Sequence, residues 1–124
     1  MNLAIHPDPQ TAARACADYL LNTLDTAARS KERVTLAVSG GSTPKWMFQA
    51  MARRHFPWEK LHVFWVDERI VSPSDEQSNF RLAQDHWFTP CGFPQSNIHR
   101  VLGEYSPEQA ATSYAEHLTM FFEL

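Results

Sequence analysis

Apolar positions change their spacing several times along the chain, and each change predicts an element. Ala12, Cys16, Tyr19, Leu20, Thr23, Leu24 and Ala27 recur at three- and four-residue intervals in a stretch free of Gly and Pro, which predicts an amphipathic helix over about residues 9–30. The near-continuous apolar run Arg33-Val34-Thr35-Leu36-Ala37-Val38 predicts a strand buried on both faces, stopped by Ser39-Gly40-Gly41-Ser42. A second helix follows, with Thr43 as N-cap and Pro44 as its first residue, where a missing amide hydrogen does no harm; it reaches about His55. Leu61-His62-Val63-Phe64-Trp65-Val66 predicts a second strand, ended by Asp67-Glu68-Arg69 and a polar loop. A third helix capped by Ser78 or Asn79 runs to about Trp87, Thr89 to Pro94 form a loop, and residues 97–101 a short third strand. Ser106-Pro107-Glu108-Gln109 combines a capping box with proline at the first helical position, so a fourth helix starts there.

The order α-β-α-β-α-β-α predicts an α/β protein: a three-layer α/β/α, Rossmann-like sandwich around a parallel sheet, with ligands bound outside the carboxyl ends of the strands. Three strands are few for such a sheet, and residues 113–124 continue an apolar helical pattern with no Gly or Lys stop signal. The expectation is an N-terminal part of a larger α/β domain, incomplete at its C-terminal side.

Composition narrows the partners. The chain has 124 residues, 44% of them hydrophobic, and 11 basic against 14 acidic side chains give a net charge of −3. That describes one globular domain or part of one, and excludes disorder. No basic run offers the phosphate attraction that nonspecific nucleic-acid or anionic-membrane binding needs, and no apolar stretch approaches a membrane span. Cys16 and Cys91, far apart, form neither a disulfide framework nor a zinc motif, which makes the cytoplasm the expected compartment. The six histidines, at positions 6, 55, 62, 86, 99 and 117, show no metal-ligand spacing and are expected at the surface or in strand packing. Trp46, Trp58, Trp65 and Trp87 are expected in the core or at its rim.

Two loops at strand ends carry the candidate chemistry. In Ser39-Gly40-Gly41-Ser42-Thr43-Pro44, glycines let the backbone turn closely around a ligand while hydroxyls and helix-start amides point at it, a pattern suited to an anion such as a sugar phosphate. A tight turn whose hydroxyls only cap the helix has the same pattern. The nucleotide P-loop, the dinucleotide G-x-G-x-x-G and the G-x-S-x-G nucleophile elbow are all unmet. In Asp67-Glu68-Arg69, Arg69 suits bidentate phosphate contact and Asp67 suits sugar hydroxyls or a proton; neighbours in extended chain point oppositely, so one carboxylate at most faces a given ligand. A surface ion cluster is the alternative. Asp75-Glu76-Gln77-Ser78-Asn79 adds polar groups to the same mouth or simply starts a helix.

Taken in order, Leu36 to Pro44, Trp58 to Arg69 and Ser78-Asn79 resemble the 6-phosphogluconolactonase family, within the superfamily that also holds glucosamine-6-phosphate deaminase. The deaminases typically carry Asp-Glu-Tyr where this chain has Arg69, which favours the lactonases. The resemblance implies hydrolysis of 6-phospho-D-glucono-1,5-lactone to 6-phosphogluconate without metal or organic cofactor. It implies that Ser39, Gly40, Gly41, Ser42 and Thr43 cradle the substrate, Arg69 binds its phosphate and Asp67 contacts the sugar. The family's Gly-x-Asp-Gly-His segment, whose histidine activates water, has no counterpart here; the base is expected beyond Leu124, and no histidine of this chain takes that role. A deaminase and a noncatalytic sugar-phosphate-binding module stay open as alternatives.

Overall fold

The computed structural model describes all 124 residues. Asp8 caps helix α1 (Pro9–Ala28), its carboxylate accepting from the Thr11 amide at 2.7 Å. The buried face of α1 is Ala13, Ala17, Leu21, Leu24 and Ala28, rotated by about one residue from the periodicity read in the sequence, and Tyr19 is exposed. Small alanines explain the rotation, because they let α1 lie close against helix α2 (Ser42–Ala52), where bulkier residues would hold it away.

Strands β1 (Val34–Val38), β2 (Leu61–Trp65) and β3 (Ile98–His99) form a parallel sheet in the order β1-β2-β3, with Val34 opposite Leu61 and Val63 opposite Ile98. Val34, Val38, Leu61, Val63 and Trp65 face one way, into a core shared with α1, α2 and the following helical segment. His62, Phe64 and His99 face the other way, under helix α5 (Pro107–Phe122). This is the expected three-layer sandwich. The sheet is shorter than expected at β3, where the hydroxyl of Tyr114 takes over: it accepts from the Trp65 amide at 2.9 Å and donates to the Trp65 carbonyl at 3.0 Å. Burial raises the Tyr114 pKa, which keeps that hydroxyl protonated and able to donate.

The third helical segment corrects the sequence reading. Helix α3 (Asn79–Ala83) widens into a π turn (Gln84–Phe88) and continues as a last turn, α4 (Thr89–Cys91), where a loop was expected. Pro90 has no amide hydrogen to return to the preceding turn, and the helix widens just upstream of it. Gly92, at φ 67°, ends the segment, and the Phe93 amide reaches back to the Phe88 carbonyl at 2.9 Å. The widened turn buries Trp87 completely.

The start of α5 is as expected: Ser106 accepts from the Gln109 amide, and Gln109 reciprocates. Ser106→Ala should cost about 1 kcal/mol and lower the thermal midpoint. At its other end α5 stops without a glycine, with Glu123 at φ 57° and the Leu124 amide donating to the Thr119 carbonyl at 3.0 Å. No helix is long and apolar enough to cross a membrane.

Three of the scattered histidines meet between sheet and α5. His62 Nδ1 lies 2.8 Å from His99 Nε2, and His99 Nδ1 lies 2.7 Å from His117 Nε2. The His99 ring stacks on Phe64 with centroids 4.4 Å apart, and the Arg33 guanidinium lies 4.3 Å above Phe121 beside them. Burial, then the charges of His117, His62 and Arg33, push His99 down to about 4, and burial then Arg33 lower His62 as well. Both therefore stay neutral in the folded chain at a pH where the unfolded chain, with histidines near 6.5, takes up protons. The stability they confer is complete above about pH 6.5 and is lost as the pH falls toward 4. The thermal midpoint should drop through that window, and drop less steeply in His99→Phe; parallel pH curves for the two proteins would contradict this.

Candidate functional site

The site forms where β1 and β2 end. Chain leaving β1 passes Ser39 and Gly40 to Gly41, whose φ of 118° lies in the region that favours glycine, and then turns directly into α2. Helix α2 thus begins at Ser42, two residues before the expected start, with Gly41 as N-cap and no side-chain capping bond from Thr43. The difference is chemical. A helix capped by Thr43 would have spent its amides on its own side chain, whereas here the Ser42 and Thr43 amides carry no intrahelical partner and stand at the positive end of the helix.

An open cleft of about 320 Å³ lies in front of this helix start, lined by Gly41, Ser42, Lys45, Arg69, Glu76, Gln77, Ser78, Asn79 and Leu82. Lys45 follows Ser42 by three residues and so shares its face of the helix. Neither Lys45 nor Arg69 is engaged in an ion pair; the chain's ion pairs are Arg29–Asp25, Arg54–Asp18, Arg81–Asp85 and Arg100–Glu104. Two unengaged cations and an uncapped helix start therefore converge on one cleft, with Glu76 as the single acidic side chain lining it. The arrangement suits an anion.

Among the residues singled out in the sequence, Gly41, Ser42 and Arg69 line the cleft together with Glu76, Gln77, Ser78 and Asn79. Ser39 and Gly40 in the loop and Thr43 in the first turn of α2 do not line the cleft, and Gly40 serves instead to let Asn79 approach, since a Cβ there would overlap the Asn79 side chain. Asp67 is exposed and also outside the lining; its carbonyl accepts from Asn79 Nδ2 at 3.1 Å. The Glu68 carboxylate, by contrast, accepts from the amides of Asn79 at 2.7 Å and Phe80 at 2.9 Å. Ser78 caps α3, accepting from the Arg81 amide at 3.1 Å.

Sequence reasoning missed Lys45, whose signal was hidden by placing the helix start at Pro44: only with Ser42 inside the helix does Lys45, three residues on, share the face that Ser42 turns to the cleft. It also missed the role of Glu68. A second cleft of about 430 Å³, lined by Phe80, Phe88, Phe93, Ile98 and Arg100 among others, lies away from both motif loops. Its one cation, Arg100, is already held by Glu104 at 2.8 and 2.9 Å, in a pair that raises the arginine's pKa and lowers the glutamate's.

Fold and site together define a parallel α/β/α protein with a cleft at the carboxyl ends of its strands, where two cations meet a helix start. Residues 7–123 match the family described as glucosamine-6-phosphate isomerases/6-phosphogluconolactonase, and the chain belongs to that family. It is 42% identical over 117 residues to a 6-phosphogluconolactonase of Nostoc sp., covering 94% of this chain and 49% of that protein. The crystal structure of 6-phosphogluconolactonase from Thermotoga maritima superposes with a TM-score of 0.82 at 26% identity, over 87% of this chain and 50% of that one. A monomeric glucosamine-6-phosphate deaminase shares the fold, with a TM-score of 0.82 at 18% identity over 99% of this chain and 52% of that one. The chain thus spans about half the length of the curated relatives it matches.

Proposed function

We propose that the cleft takes the phosphate of a sugar phosphate, and that these 124 residues are the N-terminal half of one α/β domain that hydrolyses 6-phospho-D-glucono-1,5-lactone to 6-phosphogluconate in the cytoplasm, in the oxidative pentose phosphate pathway. The observation that carries the proposal is the convergence of Lys45 and Arg69 on the uncapped start of α2. A phosphate dianion held there replaces its hydration with two cations and helix-start amides, and its sugar extends toward the exposed carboxylate of Asp67.

Hydrolysis adds water to the lactone carbonyl, breaks the bond between that carbon and the ring oxygen, and returns the water's proton through a base to the departing alkoxide. Anchoring the phosphate converts encounter into positioning, because the carbonyl then sits at a fixed distance from the cleft. The residues of this chain supply that anchor and, through Asp67, a contact for sugar hydroxyls; the base is not assigned to any of them.

The whole domain, with its base, should open the lactone faster than a protein-free control, which is essential because the lactone also opens spontaneously, and should leave glucosamine 6-phosphate unchanged; these 124 residues alone should bind 6-phosphogluconate without opening the lactone faster than that control. Ammonia release from glucosamine 6-phosphate without lactone hydrolysis would replace the reading with a deaminase. Binding of 6-phosphogluconate by the whole domain with neither reaction would reduce it to a binding module.

A further inference from the structure

We propose that Glu68 is a positioning residue that fills the start of α3 with the protein's own anion and thereby fixes the glycine loop in the shape that receives phosphate, an inference that rests on the sugar-phosphate reading of the cleft. Two helix starts meet at this cleft, and their amides are used differently. Those of Ser42 and Thr43 at the start of α2 are open. At the start of α3, Glu68 Oε1 accepts from the amides of Arg69 at 2.8 Å and Asn79 at 2.7 Å, and Oε2 accepts from the Phe80 amide at 2.9 Å and the Ser78 hydroxyl at 3.4 Å. The second helix start is occupied, so an incoming anion is directed to α2 and Arg69.

The same carboxylate holds Asn79 in place. Asn79 and Ser78 are 8% and 3% exposed, so their geometry is set by packing and these bonds. From that position the Asn79 side chain donates to the Asp67 carbonyl and lies against Gly40, which leads straight into the positive-φ turn at Gly41. Glu68 therefore connects the end of β2, the start of α3 and the glycine loop without lining the cleft itself. Its work depends on both oxygens being acceptors. In Glu68→Gln one of them becomes an NH2 group, and whichever way the amide turns, at least one backbone N–H loses its partner.

The test compares wild type, Glu68→Gln and Glu68→Asp in the ¹⁵N-labelled protein, well below the unfolding temperature. Backbone order parameters at Gly40 and Gly41 should fall from rigid values near 0.85 toward 0.6 in Glu68→Gln, with Leu36 in β1 unchanged. Affinity for 6-phosphogluconate should fall about tenfold in the folded variant, and Glu68→Asp, which keeps both acceptor oxygens, should recover part of it. A rigid glycine loop in folded Glu68→Gln, or undiminished affinity, would overturn the proposal; if Glu68→Gln does not fold, the same two readings on Glu68→Asp decide it. Should the wild-type protein bind no sugar phosphate, the functional reading fails, and the order parameters still judge Glu68 by themselves.

Discussion

Arg69→Ala should weaken 6-phosphogluconate binding about tenfold or more and leave the much weaker binding of gluconate unchanged. The guanidinium lines the cleft, is exposed and has no carboxylate partner, so its removal opens no cavity and strands no buried charge. What is lost is a charge-assisted contact, worth about 1.5–3 kcal/mol, with the lower figure appropriate to an exposed group. Arg69→Lys should restore only part of the loss, because an ammonium supplies charge without the planar fork that matches two phosphate oxygens. Calorimetric titration with both ligands checks this, and an equal loss for the two would assign Arg69 to sugar recognition or to structure.

Trp87→Ala should be the most destabilising of the substitutions considered, at about 3–5 kcal/mol. The indole has no exposure and sits among Phe48, Trp58, Phe88 and Phe93, with centroids 5.5, 5.7, 4.8 and 5.4 Å away. Its truncation leaves a cavity at the centre of an aromatic cluster drawn from α2, the turn before β2 and the π-widened segment. Trp87→Phe should cost much less, since the smaller ring keeps most contacts and removes a buried indole N–H that has no hydrogen-bond partner. Urea titrations giving a large fall in midpoint at unchanged slope for the alanine variant, and a small one for phenylalanine, would bear this out. A loss below about 1 kcal/mol for alanine would mean the cluster is not the core.

The layers of this fold were legible because strands and helices differ in period, and because local signals such as the Ser106 capping box depend on four consecutive residues. Features that depend on what packs opposite were less so. The phase of α1 is set by the close approach of α2, which Ala13, Ala17 and Ala28 permit and no periodicity reports. The π turn upstream of Pro90 forms because the segment has enough buried aromatic surface to remain helical around the proline. At the site, the glycine loop and Arg69 stood out as residue types, yet their partners did not. Lys45 emerged once the helix start moved to Ser42, and the role of Glu68 needs Asn79 and Phe80, eleven and twelve residues away. His62, His99 and His117 lie on three elements whose meeting is a property of the topology, so their spacing along the chain carries no trace of it.

Titration of the ¹⁵N-labelled protein with 6-phosphogluconate tests the central claim most directly, because it reads where the ligand sits as well as whether it binds. The account predicts saturable shifts at the Gly41, Ser42 and Thr43 amides and at the Arg69 side chain, suppressed in Arg69→Ala and weak with gluconate. Shifts confined to the cleft around Phe88, Phe93 and Arg100, or none at ligand concentrations in the millimolar range, would contradict it.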